Sequence, residues 1–298
     1  MSENTPFRSG FVTIVGRPNV GKSTLMNALI REKIAIVSPR PQTTRSRIMG
    51  ILTDPAYQLV FLDTPGIHQP RTQLGEYMMK AVRDAMDGMD CLLMIADVTD
   101  LGERDLAIAR EMTGKKVPAV LALNKIDLTS PESLLAIIAR FDGLGFSEII
   151  PISAKTGDGL EELTRQLVRH LPEGPHYFPD DMVTDQPERL ICAEMIREKA
   201  LHHLRDEVPH GIGVEMMGIT RVRDDLTEIH ATIYCEREAH KGIIIGRHGA
   251  MLQTIGTEAR VDIERLMDTH VNLKLWVKVR PDWRNRTEDL RNLGYDSK

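Results

Sequence analysis

Cysteine is scarce in this chain: Cys91, Cys192 and Cys235 are the only three in 298 residues, far apart and without a Cys-x-x-Cys pair. An odd number at such spacing argues against a disulfide framework or a zinc site, and it fits a reducing compartment. No apolar run approaches the roughly 18 residues of a membrane span. Residues 1–6 are polar and lack the apolar core of a signal peptide. A basic excess is missing as well: the formal net charge is −5, so the chain as a whole carries no nucleic-acid signal. There are no internal repeats and no low-complexity tracts. What remains is an ordinary globular composition, 42% hydrophobic and 27% charged, at a length that favours two domains.

The most informative stretch is Gly16-Arg17-Pro18-Asn19-Val20-Gly21-Lys22-Ser23, a Gly-x-x-x-x-Gly-Lys-Ser pattern. The apolar run 11–15 before it reads as a strand, and 24–30 after it reads as a helix. A strand feeding a glycine loop that opens a helix aims backbone N–H groups and the helix dipole at one point, which suits a phosphate chain. Lys22 is then expected at the β- and γ-phosphates, Ser23 on Mg²⁺, and the backbone of Gly16, Asn19, Val20, Gly21 and Thr24 around the phosphates.

Three further motifs sit at the ends of predicted strands. Asp63-Thr64-Pro65-Gly66 closes the run 57–62, where Asp63 can reach Mg²⁺ and Gly66 lets a backbone N–H approach the γ-phosphate. Asn124-Lys125-Ile126-Asp127 follows the run 117–123. A buried Asp127 can accept from the ring N–H and exocyclic amine of guanine, a donor pair adenine lacks. Ser153-Ala154-Lys155 follows 149–152, where a backbone N–H can meet the guanine O6. Any one of these is weak. Together, in this order, they point to guanine.

Strand-like runs near 11–15, 47–53, 57–62, 90–96, 117–123 and 148–152 alternate with helical stretches near 22–31, 72–87, 103–112, 131–141 and 159–170. That alternation predicts a mostly parallel sheet with helices on both faces and the loop motifs along one edge. The proline-rich stretch 171–181 reads as an interdomain linker. Between the first helix and second strand, Ser38-Pro39-Arg40-Pro41-Gln42-Thr43-Thr44-Arg45 cannot be helical. Such a segment can order around a γ-phosphate. A hydroxyl here completes the Mg²⁺ shell, with Thr44 favoured over Thr43. From the segment alone, an ordinary polar loop is the alternative.

The second domain, 187–298 after a linker at 173–186, reads α-β-β-α-α-β. Its helix spans 188–201, its hairpin strands run 212–221 and 227–234 around Arg223-Asp224-Asp225, a long helix ends at Met267, and the last strand spans 271–279. Gly246-Arg247-His248-Gly249 stands at the joint of two helices. Glycines there let a nucleic-acid backbone come close, and the second helix presents its N-terminus to phosphate. With 22 glycines, about one or two such spacings arise by chance, so the weight lies in Arg247, His248 and nearby Lys241. Lys274, Lys278, Arg280, Arg284 and Arg286 form a second candidate cationic cluster, or a solvated strand edge.

These motifs in this order, with the KH-like joint and the ending Leu275-Trp276-Val277-Lys278-Val279, Trp283 and Leu293-Gly294-Tyr295, resemble the Era family of bacterial GTPases over nearly the whole chain. The resemblance implies a Ras-like P-loop GTPase domain (α/β, residues 1–172) followed by an α+β type II KH domain. It implies a role in small (30S) ribosomal subunit maturation, with the KH residues Lys241, Gly246, Arg247, His248 and Gly249 gripping the 3′ end of 16S rRNA. GTP/GDP and Mg²⁺ are the implied ligands, with Lys22, Thr44 and Gly66 as the implied catalytic groups. A monomeric cytoplasmic protein with peripheral inner-membrane contact is the implied setting.

One residue is missing from the pattern. Ile67 stands after Gly66, where Ras-like proteins carry the glutamine that orients the attacking water. An isoleucine cannot hydrogen-bond water, so slow intrinsic turnover is expected. His68 reads as a surface histidine rather than a substitute. Asn19 either helps hold a K⁺ between the phosphates, as in related GTPases, or makes a loop-stabilising hydrogen bond. Two functions therefore stand side by side: a GTP-driven RNA switch, or an RNA-binding assembly or anchoring factor with structurally bound GTP.

Overall fold

The computed structural model describes residues 6–38, 40, 43–67, 70 and 72–295. The chain forms two compact units, Met1–Ala35 with Thr44–His68 and Met79–Asp185, and Ile36–Thr43 with Gln69–Met78 and Gln186–Lys298.

The first unit is built on six strands: β1 (Arg8–Val15), β2 (Ile48–Asp54), β3 (Tyr57–Asp63), β4 (Cys91–Asp97), β5 (Ala119–Asn124) and β6 (Glu148–Ile152). Their order is β2-β3-β1-β4-β5-β6, all parallel except β2, which pairs antiparallel with β3. β4 is buried at every position, so its side chains alternate between two apolar layers. Cys91, Leu93 and Ile95 join Val12, Ile14, Leu25 and Met26 on one face. Leu92, Met94 and Ala96 join Ala109, Met112 and Phe141 on the other. The helices covering the sheet are α1 (Lys22–Ile30), α2 (Gln73–Met86), α3 (Glu103–Thr113), α4 (Pro131–Phe141) and α5 (Leu160–His170), although Gln69–Met78, the start of α2 included, is counted with the second unit. Local chemistry sets their starts. Ser130 Oγ accepts the Ser133 N–H at 3.3 Å ahead of Pro131, which needs no partner at the first helical position.

The stretch after α5 is extended and lies along the β2–β3 pair. Ile51 N–H donates to the Val183 carbonyl at 2.9 Å, and Thr184 Oγ1 donates to Met49 O at 2.6 Å. Gln58 accepts from the Tyr177 and Phe178 N–H groups at 2.8 and 3.0 Å. Its prolines remove donors that a buried strand would need, while the sheet edge supplies partners for the rest.

The second unit holds α6 (Glu188–His203), β7 (Gly213–Arg223), β8 (Leu226–Cys235), α7 (Glu238–Ile245), α8 (Ala250–Met267), β9 (His270–Val279) and α9 (Thr287–Asn292). β8 pairs antiparallel with β7 and parallel with β9, so β9 is an edge strand. The inner sheet face packs on the helices through Ile196, Ile229, Ile233, Ile255, Ala259 and Ile263. The α-β-β-α-α-β order read from the sequence is complete by Val279. Beyond it, Trp283, Leu290, Leu293 and Tyr295 close a small cluster with Tyr234, Leu74 and Met78.

Candidate functional site

Every nucleotide motif lies at the carboxyl edge of the parallel sheet, because each follows or ends a parallel strand. The loop after β1 folds back on itself. Gly16 and Gly21 have φ of 154° and 103°, and a side chain on Gly16 would meet the Ile95 carbonyl. Lys22 Nζ lies inside the loop, donating to the carbonyls of Gly16 at 3.2 Å and Arg17 at 3.0 Å. Burial lowers the Lys22 ammonium to about 8, against the opposing charge of Asp63. A basic group stripped of water in this way gains most from an incoming phosphate. Asn19 adopts a left-handed conformation, φ 67°, and its carbonyl accepts from Lys125 Nζ at 3.2 Å.

Three hard oxygen donors converge beside the loop. Ser23 Oγ donates to Asp63 Oδ2 at 2.7 Å and lies 2.8 Å from Thr44 Oγ1, which is 3.4 Å from the same carboxylate oxygen. Asp63 is fully buried, and its Oδ1 has no hydrogen-bond partner among the described residues. Burial raises its pKa against the pull of Lys22 and the two hydroxyls. Two hydroxyls and a carboxylate with an orphaned oxygen fit Mg²⁺, which takes few protein oxygens and completes its shell with phosphates and water. Thr43 is directed elsewhere, its hydroxyl donating to the Arg40 carbonyl at 2.6 Å.

Gly66 touches the same loop: a Cβ there would lie 2.7 Å from the Pro18 nitrogen. Ile67 donates its N–H to the Gly16 carbonyl at 3.3 Å, and its side chain packs against the apolar layer of Val15 and Leu92. No side chain that could orient water stands at that position. His68, with Pro41 and Gln42, lies outside the described residues.

At the end of β5, Asn124 is the buried tie between loops. Its Nδ2 donates to the Val20 carbonyl at 2.8 Å and its Oδ1 accepts the Ala154 N–H at 2.9 Å. Lys125 is paired with Asp97 and sits at φ 71°. Asp127 accepts from Ser153 Oγ at 2.7 Å. Asp127 is exposed, against the expectation of a buried carboxylate, because its short helical turn begins where the sheet core stops. Lys155 is exposed beside it, while Ser153 and Ala154 are buried. Thr24 lies in the first turn of α1, one residue beyond the Ser23 hydroxyl.

Sequence reasoning missed Arg17 and Asp105. Arg17 Nε donates to the buried Asp105 carboxylate at 2.8 Å, and that carboxylate also caps Gly102 N–H at 2.9 Å, so the phosphate loop is moored to the start of α3. Nothing in the spacing of residues 17 and 105 signals this.

In the second unit, Gly246 and Gly249 both have positive φ, 72° and 83°, but for different reasons. A Cβ on Gly246 would lie 2.6 Å from the Met251 Cβ, whereas Gly249 faces open space at the N-terminus of α8. Arg247 and His248 between them are exposed, and Lys241 is half-buried, 4.0 Å from Glu238. From Gly249 a groove of about 350 Å³ runs between α8 and the edge strand β9, lined by Leu252, Gln253, Gly256, Arg260, Leu273 and Leu275 among others. Gly256 keeps it open, since a Cβ there would come within 3.3 Å of Leu275. These lining residues were also missed. Their signal is the helical stripe 249, 252, 256, 260 running down from the glycine joint.

The second cationic cluster is largely neutralised within its own unit. Lys274 pairs with Glu228 at 2.7 Å, Arg280 with Asp289 at 3.1 Å, and Arg284 with Glu236 at 2.6 Å. Acidic residues distant in sequence meet these cations only once the sheet forms. Among the described residues no helix is long and apolar enough to cross a membrane.

Comparison with known proteins bears on both units. A family model described as a 50S ribosome-binding GTPase matches residues 11–125, and a KH-domain model matches 207–284. The chain is 51% identical over 97% of its length to GTPase Era of Ruminiclostridium cellulolyticum, covering 98% of that protein. It is 52% identical to GTPase Era of Alkaliphilus metalliredigens, with 97% and 99% of the two chains covered. The chain belongs to the GTPase Era family.

Among solved structures, Era in complex with MgGDPNP and nucleotides 1506–1542 of 16S ribosomal RNA superposes with a TM-score of 0.93 at 40% identity, covering 98% of this chain and 100% of that one. Aquifex aeolicus Era bound to GDP·AlF4⁻ superposes with the same TM-score at 39% identity and the same coverage. As an Era-family protein, the chain is a Ras-like GTPase with a C-terminal KH domain. In that activity Mg²⁺ supplies charge neutralisation at the transferring phosphoryl group. The chain's own residues provide a desolvated lysine, a preformed loop and a closed base-loop tie.

Proposed function

We propose that this chain is a GTP-driven switch that binds the 3′ end of 16S rRNA during small-subunit assembly. The observation that carries the reading is the coexistence, in one chain, of the Ser23–Thr44–Asp63 oxygen cluster with an open helix N-terminus and groove at Gly249. The similarity to an Era protein crystallised with MgGDPNP and that RNA supports the pairing of ligands.

In this reading residues 1–172 bind nucleotide, 173–186 connect, and 187–298 bind RNA. Lys22 contacts the β- and γ-phosphates, with Gly16, Asn19, Val20, Gly21 and Thr24 around them. Ser23, Thr44 and Asp63 hold Mg²⁺, and Gly66 approaches the γ-phosphate. Asn124, Lys125, Asp127, Ser153, Ala154 and Lys155 form the guanine pocket. Lys241, Gly246, Arg247, His248 and Gly249 take the RNA backbone, and the groove along β9 takes its bases. With Ile67 in place of a water-orienting side chain, intrinsic hydrolysis is slow. Three buried cysteines without a disulfide support a reducing, cytoplasmic setting.

The test is binding of a 16S 3′-end fragment at fixed salt with GTP analogue, with GDP and without nucleotide. Tighter binding with the analogue, abolished by Gly249→Asp, is the expected result. Equal affinity in all three states overturns the switch.

A further inference from the structure

The pairing of β8 with β9 gives the edge strand two distinct faces. Leu273, Leu275 and Val277 stand opposite the core residues Ile229, Ala231 and Ile233, so they face inward, and the first two line the groove beside α8. Lys274, Trp276 and Lys278 stand opposite His230, Thr232 and Tyr234. By the two-residue period of a strand they project from the other face. The strand that borders the groove therefore carries a Lys-x-Trp-x-Lys stripe on its back.

The chain has two tryptophans, and their settings differ. Trp283 is fully buried, and its indole N–H donates to the Gly211 carbonyl at 2.9 Å. Trp276 is 44% exposed, and its N–H has no hydrogen-bond partner among the described residues. The His230 ring meets the indole edge-on, with centroids 5.3 Å apart at 62°, which steadies it without covering it. Of the two flanking cations, Lys274 is held by Glu228 at 2.7 Å, whereas Lys278 is exposed and has no ion-pair partner among the described residues. An open aromatic ring with an unpaired ammonium about 7 Å further along the strand suits a stacked base and its phosphate.

We propose that Trp276 is a second RNA-contact site outside the groove: a base leaving the groove stacks on the indole, and Lys278 takes the adjoining phosphate. β9 is the edge of its sheet, so a single-stranded chain in the groove reaches the other face by passing around one strand. Stacking accepts an unpaired base of any identity, so the site adds affinity rather than sequence choice. This rests on the reading above that the groove at Gly249 binds RNA.

The experiment measures binding of the 16S 3′-end fragment to the full chain with GTP analogue over a series of salt concentrations, together with tryptophan fluorescence. Trp276→Ala is expected to weaken binding about tenfold, and Trp276→Phe, which keeps an aromatic ring, by under about threefold. RNA should quench the fluorescence of the wild type, and the quench should vanish in Trp276→Phe, where only the buried Trp283 remains. Lys278→Gln should lower the slope of log affinity against log salt by about 0.7, one phosphate contact of a single strand, while Trp276→Ala leaves it unchanged. An unchanged slope in Lys278→Gln overturns the phosphate contact. Equal losses for Trp276→Phe and Trp276→Ala overturn the stacking, which needs only a ring. Gly249→Asp separates the two readings. If it leaves binding intact, the groove reading fails and the inference with it. If it abolishes binding while Trp276→Ala binds within about twofold of wild type, or while RNA leaves the wild-type fluorescence unchanged, the inference alone fails.

Discussion

Replacing Asn124 with alanine removes two hydrogen bonds at once from a side chain that is 2% exposed. The Val20 carbonyl loses a donor at 2.8 Å and the Ala154 N–H loses an acceptor at 2.9 Å. An unsatisfied buried backbone group costs about 1–3 kcal/mol, and a truncated side chain leaves some room for water to relieve it. The two together should destabilise the first unit by about 2–4 kcal/mol, which for a unit of this size lowers its melting temperature by roughly 4–16 °C. Scanning calorimetry of the full chain measures this, and GDP identifies the relevant transition, since a ligand raises the melting point of the unit that binds it. Ser153→Ala is the control. It loses the bond to Asp127 and the acceptor of the Thr156 N–H, but both partners are exposed and water can replace it, so it should cost about 1 kcal/mol. A melting point for Asn124→Ala within a degree of wild type, or a shift no larger than that of Ser153→Ala, would refute the view that this side chain ties the phosphate loop to the base loop.

The two glycines of the KH joint should respond unequally to alanine. Gly246→Ala meets Met251 at 2.6 Å as well as a positive φ and should cost about 2–4 kcal/mol, whereas Gly249→Ala faces only the backbone term of about 1–2 kcal/mol; urea denaturation of each variant orders them. The cysteines should be inert in the native protein. Burial pushes the Cys91 and Cys192 thiols up to about 12 and raises Cys235 as well. Unfolded thiols ionise near their usual pKa, so stability falls as pH rises above about 9, and a thiol reagent at pH 8 should titrate all three only after denaturant is added.

Much of the first unit is legible because its signals are local. A strand of continuous apolar residues, a glycine loop and a helix start are set within a dozen residues, and each of the four nucleotide motifs follows such a strand. The glycine joint is legible too, because both its glycines take positive φ, and at Gly246 the neighbouring Met251 excludes a Cβ as well. The Arg17–Asp105 mooring was not legible, because its partners are separated by tens of residues and no local period records it.

The sequence by itself determined the order of four loop motifs along one sheet edge and the presence of a second α+β unit, since propensity, period and turn chemistry act over short range. Only the tertiary structure decided which of two adjacent threonines reaches Ser23 and Asp63, and that Lys274, Arg280 and Arg284 are paired with Glu228, Asp289 and Glu236. Those outcomes depend on distances between residues far apart in the chain, and such distances exist only after packing has fixed them.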